Sequence, residues 1–185
     1  GEAILPLGCS VGFRARLNGV NGFVTAGHCT TGVNQVVGGF GVVKKRRYSG
    51  NVDASWIKLD ASNSIGTGLK YHASNGVSLP LSNTPVTNFV VGQLYGKSGF
   101  ASGYTYGNIT SLSVSGANGI TGLIGTGIYA KPGDSGGIVF KIGGTGTNPI
   151  SYQTAGIVHG GPEGGGNLKF VKANSIISAF GLTVY

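Results

Sequence analysis

The chain predicts an all-β protein built as an antiparallel barrel or sandwich, and three observations carry that prediction. Short runs rich in Val, Ile, Thr, Tyr and Phe recur at near-regular spacing along nearly all of its length. Glycine supplies 37 of the 185 residues without a G-X-Y period, which fits tight turns between strands and excludes collagen. Apolar residues make up 40 %, enough to bury a core and too many for a disordered chain.

The first strands are "CSVGFRARL" (9–17), "NGFVTAGHC" (21–29), "NQVVGGFGVV" (34–43) and "DASWIKLD" (53–60), each bounded by Gly, Asn or Ser. Asn21-Gly22 reads as a tight hairpin turn between two of them. A polar stretch (74–88) follows, and the Pro80–Pro85 region is the best linker candidate, dividing the chain into units at 1–82 and 83–185. Strand signals then resume at 89–99, 106–116, 120–130, 135–142, 152–161 and 167–173. One segment differs: 173–181 places Ile176, Ile177 and Phe180 at helical spacing, with Asn174 as N-cap and Gly181 as stop.

Thirteen basic residues face five acids, a formal net charge of +8. The only dense basic run, Lys44-Lys45-Arg46-Arg47, has no nucleic-acid recognition module beside it and reads as a solvated hairpin, so no nucleic-acid partner is expected. No run of about 18 apolar residues points to a membrane span. The opening residues lack the charged and apolar regions of a signal peptide, so the chain reads as already processed. Cys9 and Cys29 form no CxxC pair and no four-ligand zinc set; twenty residues apart on two strand-like runs, they read as one disulfide, which implies an oxidising, extracellular setting.

Two short motifs carry chemistry: "TAGHC" (25–29) and "GDSGG" (133–137). A serine hydroxyl is a weak nucleophile at neutral pH and needs a base, which in turn needs an orienting group. Glycines around Ser135 let the backbone turn so that the N–H groups of Gly133 and Ser135 converge on a developing oxyanion. A Cβ at Gly133 is expected to crowd the substrate carbonyl. His28 is the candidate base, anchored by the adjoining Cys29. Among only five carboxylates, Asp53 remains as the orienting acid: Glu2 is terminal, Asp134 adjoins the serine, Glu163 lies in a glycine-rich loop and Asp60 follows the strand. No metal-ligand cluster is visible, and no cofactor is expected.

The chain order His28, Asp53, Ser135 is that of chymotrypsin-like enzymes, not of subtilisins or α/β-hydrolases. The segments "CSVGF…GFVTAGHC", "KPGDSGG", "GIVHGG" and "ISAFGLTVY" resemble the bacterial secreted branch of that superfamily, the streptogrisin and α-lytic protease group, over residues 8–185. The resemblance implies two six-stranded antiparallel barrels, the first carrying His28 and Asp53, the second Ser135. It also implies a secreted, monomeric serine endopeptidase acting on polypeptides through an acyl-enzyme, with folding assisted by its own pro-region. The pocket it implies is formed by Tyr129, Ala130, Val158, His159, Gly160, Gly161 and Leu168. A buried Asp134–Lys97 ion pair takes the place of terminal-amine activation.

Several positions depart from that family. Relatives carry two or three disulfides; here Gly96 and Tyr106 stand at one lost bridge, and Tyr129 at half of another, facing the cysteine-free loop 162–167. His159 occupies a position where the family has a serine whose hydroxyl contacts the aspartate, and it is expected to donate to Asp53 in the same way, the alternative being a role in substrate preference or pH response. Ala130, where α-lytic protease has a bulky methionine, implies a pocket for large apolar residues before the scissile bond. The alternative is cleavage after Glu, prompted by His159, Lys131 and Lys169 nearby. A rival from another class is an inactive cationic homologue that binds acidic polymers. Asn108-Ile109-Thr110 matches a glycosylation pattern inside an apparent strand, so occupancy is not expected.

Overall fold

The structure, a computed structural model, describes residues 1–66, 68–70, 78–143 and 151–185; the 74–77 part of the polar stretch lies outside these described residues. The strands of the first half are β1 (Ala3–Ile4), β2 (Cys9–Ser10), β3 (Arg14–Leu17), β4 (Val20–Thr25), β5 (Val36–Val37), β6 (Gly41–Ser49), β7 (Val52–Leu59), β8 (Gly68–Lys70) and β9 (Ser78–Ser82). Those of the second are β10 (Leu94–Gly99), β11 (Gly103–Val114), β12 (Leu123–Ala130), β13 (Ile138–Gly143), β14 (Ser151–Gly160), β15 (Gly166–Lys172) and β16 (Leu182–Val184), with helix α1 (Ala173–Phe180) between the last two.

Two six-stranded units hold the molecule together. In the second, β13-β10-β11-β12-β15-β14 close on themselves through a β13–β14 pairing. The parallel strand β9, with β8 beyond it, extends this sheet from β14, so part of the expected linker is itself a strand. In the first, the order is β16-β3-β4-β7-β6-β5. Its outermost member β16 comes from the chain terminus and pairs with β3 through Leu182↔Leu17 and Val184↔Ala15.

The expected hairpin turn at Asn21-Gly22 is displaced. The turn is made by the earlier Asn18-Gly19, both with positive φ (50° and 78°), while Asn21 and Gly22 pair with Arg16 and Ala15 inside the ladder. Gly22 is a packing glycine: a Cβ there would run into the ring of Trp56, whose indole N–H donates to the Ala15 carbonyl at 2.8 Å. The helix also starts differently. Lys172 holds the N-cap position without a side-chain cap, and Asn174 Nδ2 donates to the Val86 carbonyl at 3.1 Å. Gly181 ends the helix in the left-handed region (φ 70°), as its lack of a Cβ permits.

One apolar cluster spans the two units: Phe13, Val24 and Trp56 pack with Ile138, Phe140, Val171 and the buried helix residues Ile176 and Phe180. The helix thus places its apolar stripe over both sheets. At the expected sites of the missing disulfides the chain carries glycine–aromatic contacts. Gly96 lies directly across from Tyr106, and its bare Cα admits the ring of Phe140, which stacks on Tyr104 at 5.8 Å. A Cβ on Gly165 would meet the Tyr129 hydroxyl at 2.6 Å. Cys9 and Cys29 are bonded to each other.

Candidate active site

His28 sits in a single 3-10 turn (Gly27–Cys29) at the end of β4, and Asp53 sits near the start of β7. Gly27 makes this approach possible, because a Cβ there would strike the Ala54 backbone nitrogen at 2.8 Å. The turn is held by Arg46, whose Nε donates to the carbonyls of Gly27 and Thr30, both at 3.0 Å. That residue of the basic run is therefore structural, while Lys44, Lys45 and Arg47 are exposed.

Asp53 is completely buried. Its Oδ1 accepts the His28 backbone N–H at 2.8 Å, and its Oδ2 accepts from Nδ1 of His28 at 2.7 Å. Because an ionised carboxylate only accepts, the His28 proton sits on Nδ1. Nε2 then carries a lone pair and has no hydrogen-bond partner among the described residues. The same Oδ2 also accepts from Nδ1 of His159 at 2.6 Å. Burial pushes the Asp53 carboxyl up, but the hydrogen bonds donated by His159 and His28, with the electrostatic attraction of both rings, outweigh it and hold the value at about 2.

That depression has a sign. A carboxylate lowered on folding contributes stability above its unfolded value, near 3.8, and loses it as pH falls through about 2. Asp53 is thus expected to contribute roughly 2 kcal/mol at neutral pH. A urea titration series from pH 5 to pH 2 checks this: unfolding free energy should fall across that window, and less in Asp53→Asn.

The nucleophile loop is shaped by contacts that glycine alone permits. Gly136 (φ 81°) lies against β4, where a Cβ would meet the Thr25 hydroxyl and, at 2.7 Å, the Ala26 nitrogen. Gly133 (φ 101°) needs its left-handed backbone, and a Cβ there would also meet the Ala101 Cβ at 2.8 Å. Ser10 fastens the loop from behind. Its N–H donates to the Ser135 carbonyl at 2.8 Å and its hydroxyl to the Gly133 carbonyl at 2.7 Å. The N–H groups of Gly133 and Ser135 meet no acceptor among the described residues.

Lys97 and Asp134 lie beneath the loop, both fully buried, with Nζ 3.3 Å from Oδ2. Lys97 also donates to Ser102 Oγ (2.6 Å) and the Gly103 carbonyl (2.8 Å). Asp134 accepts from the Ser102 hydroxyl and from the backbone N–H groups of Ala101 (3.0 Å), Ser102 (2.9 Å) and Lys131 (3.0 Å). Burial raises the Asp134 carboxyl, yet these bonds and Lys97 leave it below its ordinary value; burial draws the Lys97 ammonium down despite Asp134.

His28 and Ser135 line one cleft of about 520 Å³, with no direct hydrogen bond between them. Ala130, Val158, His159, Gly160 and Gly161 line it too. Two expected pocket residues do not. Leu168 is fully buried in the barrel core, because strand alternation turns its neighbours Asn167 and Lys169 toward the cleft instead. Tyr129 is 47 % exposed on the outer side of β12, against Gly165. Tyr48, Gly116 and Ala117 also line the cleft and escaped the sequence reading. Gly116 carried the one usable signal: a Cβ there would collide with His159 Nε2, so a bulky ring at 159 requires a glycine opposite. His28, Asp53 and His159 also form a potential metal-ligand group, with ligand atoms within 4.8 Å of one another, where the sequence had suggested none. Their facing atoms are joined by the two hydrogen bonds to Oδ2.

No family model matches this chain. Streptogrisin-A of Streptomyces griseus is 30 % identical over 190 residues, covering all of this chain and 60 % of the relative, so the chain spans less than two thirds of that protein. Serine protease 2 of Streptomyces fradiae is 34 % identical over 157 residues, 76 % of this chain and 86 % of the relative. The crystal structure of Cellulomonas bogoriensis chymotrypsin superposes with a TM-score of 0.75 at 30 % identity, over 96 % of this chain and 90 % of that one. A glutamic acid-specific serine protease described as using a histidine triad in substrate binding superposes with a TM-score of 0.78 at 26 % identity, over 96 % and 93 %. Sequence and fold thus agree on one lineage, and the chain belongs to the chymotrypsin-like serine protease superfamily, in its bacterial branch.

Proposed function

We propose that this chain is a serine endopeptidase in which Ser135, His28 and Asp53 form the catalytic triad. The observation that carries this reading is the buried Asp53–His28 pair, whose free Nε2 belongs to the cleft that also holds Ser135. Ser135 Oγ attacks the scissile carbonyl carbon while its proton passes to His28 Nε2. The carbonyl oxygen takes the electron pair and is held by the N–H groups of Gly133 and Ser135. As the C–N bond breaks, His28 returns the proton to the leaving amine; water then repeats the sequence and frees the acid. Asp53 stays ionised and stabilises the imidazolium.

The preferred residue before the cut is large and apolar. Ala130 and Val158 supply apolar wall, and Gly160 and Gly161 leave space and backbone groups for an extended substrate. Cleavage after Glu is the second reading, favoured by Lys131 and Lys169 on the cleft and by the glutamic acid-specific neighbour. Two features weigh against it. Both ring nitrogens of His159 are already engaged, and Glu163 brings like charge to the same cleft. A matched pair of peptide anilides differing only in Phe or Glu at that position decides: the Phe peptide should be cut at least tenfold faster, and faster Glu hydrolysis would reverse the assignment.

The same proposal includes a division into an N-terminal unit (1–82) bearing the base and acid and a C-terminal unit (83–185) bearing the nucleophile, with β16 returned to the first sheet. It includes secretion, supported by the Cys9–Cys29 bond, which forms in oxidising compartments. Folding with a pro-region and a monomeric working form rest on the family resemblance.

A further inference from the structure

His159 reaches further than a hydroxyl at its position could. One ring nitrogen donates to Asp53 Oδ2 at 2.6 Å, the oxygen that His28 also uses, and the other accepts the backbone N–H of Ala117 at 3.1 Å. The ring is 6 % exposed and edge-on to His28, with centroids 5.9 Å apart. Ala117 begins a 3-10 turn (Ala117–Gly119) in the segment 115–122, which presents Gly116 and Ala117 as one wall of the cleft. The wall is tied down at three further points. Thr121 N–H donates to the Gly50 carbonyl (2.8 Å), Asn118 Nδ2 to the Tyr48 hydroxyl (2.6 Å), and Lys169 Nζ to the Ser115 carbonyl (2.6 Å). Tyr48 lies near the end of β6, paired with Asp53, and Gly50 lies in the β6–β7 turn that leads into Asp53.

We propose that His159 is a positioning residue that joins Asp53 to the 115–122 wall in one hydrogen-bonded chain, so that wall and triad fix each other's geometry. The inference rests on the peptidase reading above. Its chemical basis is the tautomer. An imidazole nitrogen that accepts from Ala117 carries no proton, so the ring's proton sits on Nδ1, where Asp53 requires a donor. The wall therefore dictates which nitrogen faces the carboxylate. A second proton on His159 would set its Nε2–H against the Ala117 N–H and break that link. The charged and titratable groups around it are Asp53 and His28 in contact, with Tyr48, Lys131, Glu163 and Lys169 on the same cleft. A serine at 159 could reach Asp53 only.

The test compares His159→Ala, His159→Ser and Gly116→Ala with the wild type, after active sites have been counted with a fluorophosphonate. His159→Ala should lower kcat by about ten- to a hundredfold, the range for losing a hydrogen bond to a charged group. It should also shift the acid limb of the kcat/KM profile and move the His28 imidazole NMR signal. His159→Ser should recover most of kcat but leave KM raised several-fold, because Ala117 still lacks its acceptor. Gly116→Ala keeps the ring but drives a methyl against Nε2, so KM should rise there too; this variant decides the matter if His159→Ala shows no cooperative thermal transition. The proposal is overturned if His159→Ala stays within twofold of wild type, if the two His159 variants lose kcat equally with an unmoved acid limb, or if Gly116→Ala keeps the wild-type KM. A wild type that takes no label refutes the peptidase reading instead, so the two failures are distinct.

Discussion

Ser135→Ala is expected to lower kcat by about 10⁴- to 10⁶-fold with an unchanged fold, the largest effect any single substitution here should have. Ser135 Oγ is the group proposed to form the acyl bond, and alanine has no lone pair to offer the carbonyl carbon. The surrounding loop should survive, because its shape rests on other atoms: the Ser135 carbonyl held by Ser10, the Gly136 contact with β4, and the Asp134 bonds below. Oxyanion donors and substrate contacts remain, so turnover should not fall to the uncatalysed rate. Steady-state hydrolysis of the Phe anilide, with thermal unfolding alongside, reads both halves of the prediction. A variant that kept turnover within tenfold of wild type would remove Ser135 from the mechanism.

Lys97→Met should be the most damaging change away from the cleft. The pair with Asp134 is fully buried, and removing one member leaves the other charge uncompensated, at about 3–5 kcal/mol. Asp134 would keep its hydrogen bonds from Ser102, Ala101 and Lys131, yet none of them carries a full charge. For a chain of this size the melting temperature should fall by roughly 6–20 °C. Activity should fall as well, since Asp134 fixes the backbone between the N–H groups of Gly133 and Ser135. Asp134→Asn in the Lys97→Met background removes the orphaned charge and should recover part of the lost stability. A melting temperature unchanged by Lys97→Met would mean that the ammonium contributes nothing to that loop.

Much of this arrangement was legible in the residues, and what was not follows from tertiary contacts. The strands announce themselves through glycine punctuation and β-branched runs, and the scarcity of acids isolates Asp53 with little ambiguity. Local signals fail where two equivalent options compete. Asn18-Gly19 and Asn21-Gly22 are the same dipeptide, and tertiary contacts separate them: Gly22 is packed against the Trp56 ring and the Ile57 carbonyl within the ladder, and the turn falls to Asn18-Gly19. Pocket residues were harder still, because facing depends on strand parity and local bulges. The β14–β15 register shifts between Val158 and Gly160, and the neighbours of Leu168, not Leu168 itself, reach the cleft. The partner of His159 Nε2 lies 42 residues away and is a backbone amide, which no side-chain pattern could announce. The return of β16 to β3 is likewise a long-range pairing without a local signature.

The most direct test of the central claim is covalent labelling of the folded protein by a fluorophosphonate, read by intact mass and peptide mapping. A poised serine attacks the phosphorus and expels fluoride, whereas an ordinary surface serine does not react on the same timescale. One adduct per chain, mapped to Ser135 and formed at a rate that collapses in His28→Ala and Asp53→Asn, is the predicted result. A folded protein that takes no adduct, or takes it elsewhere, would contradict the triad and leave an inactive cationic homologue as the reading of this chain.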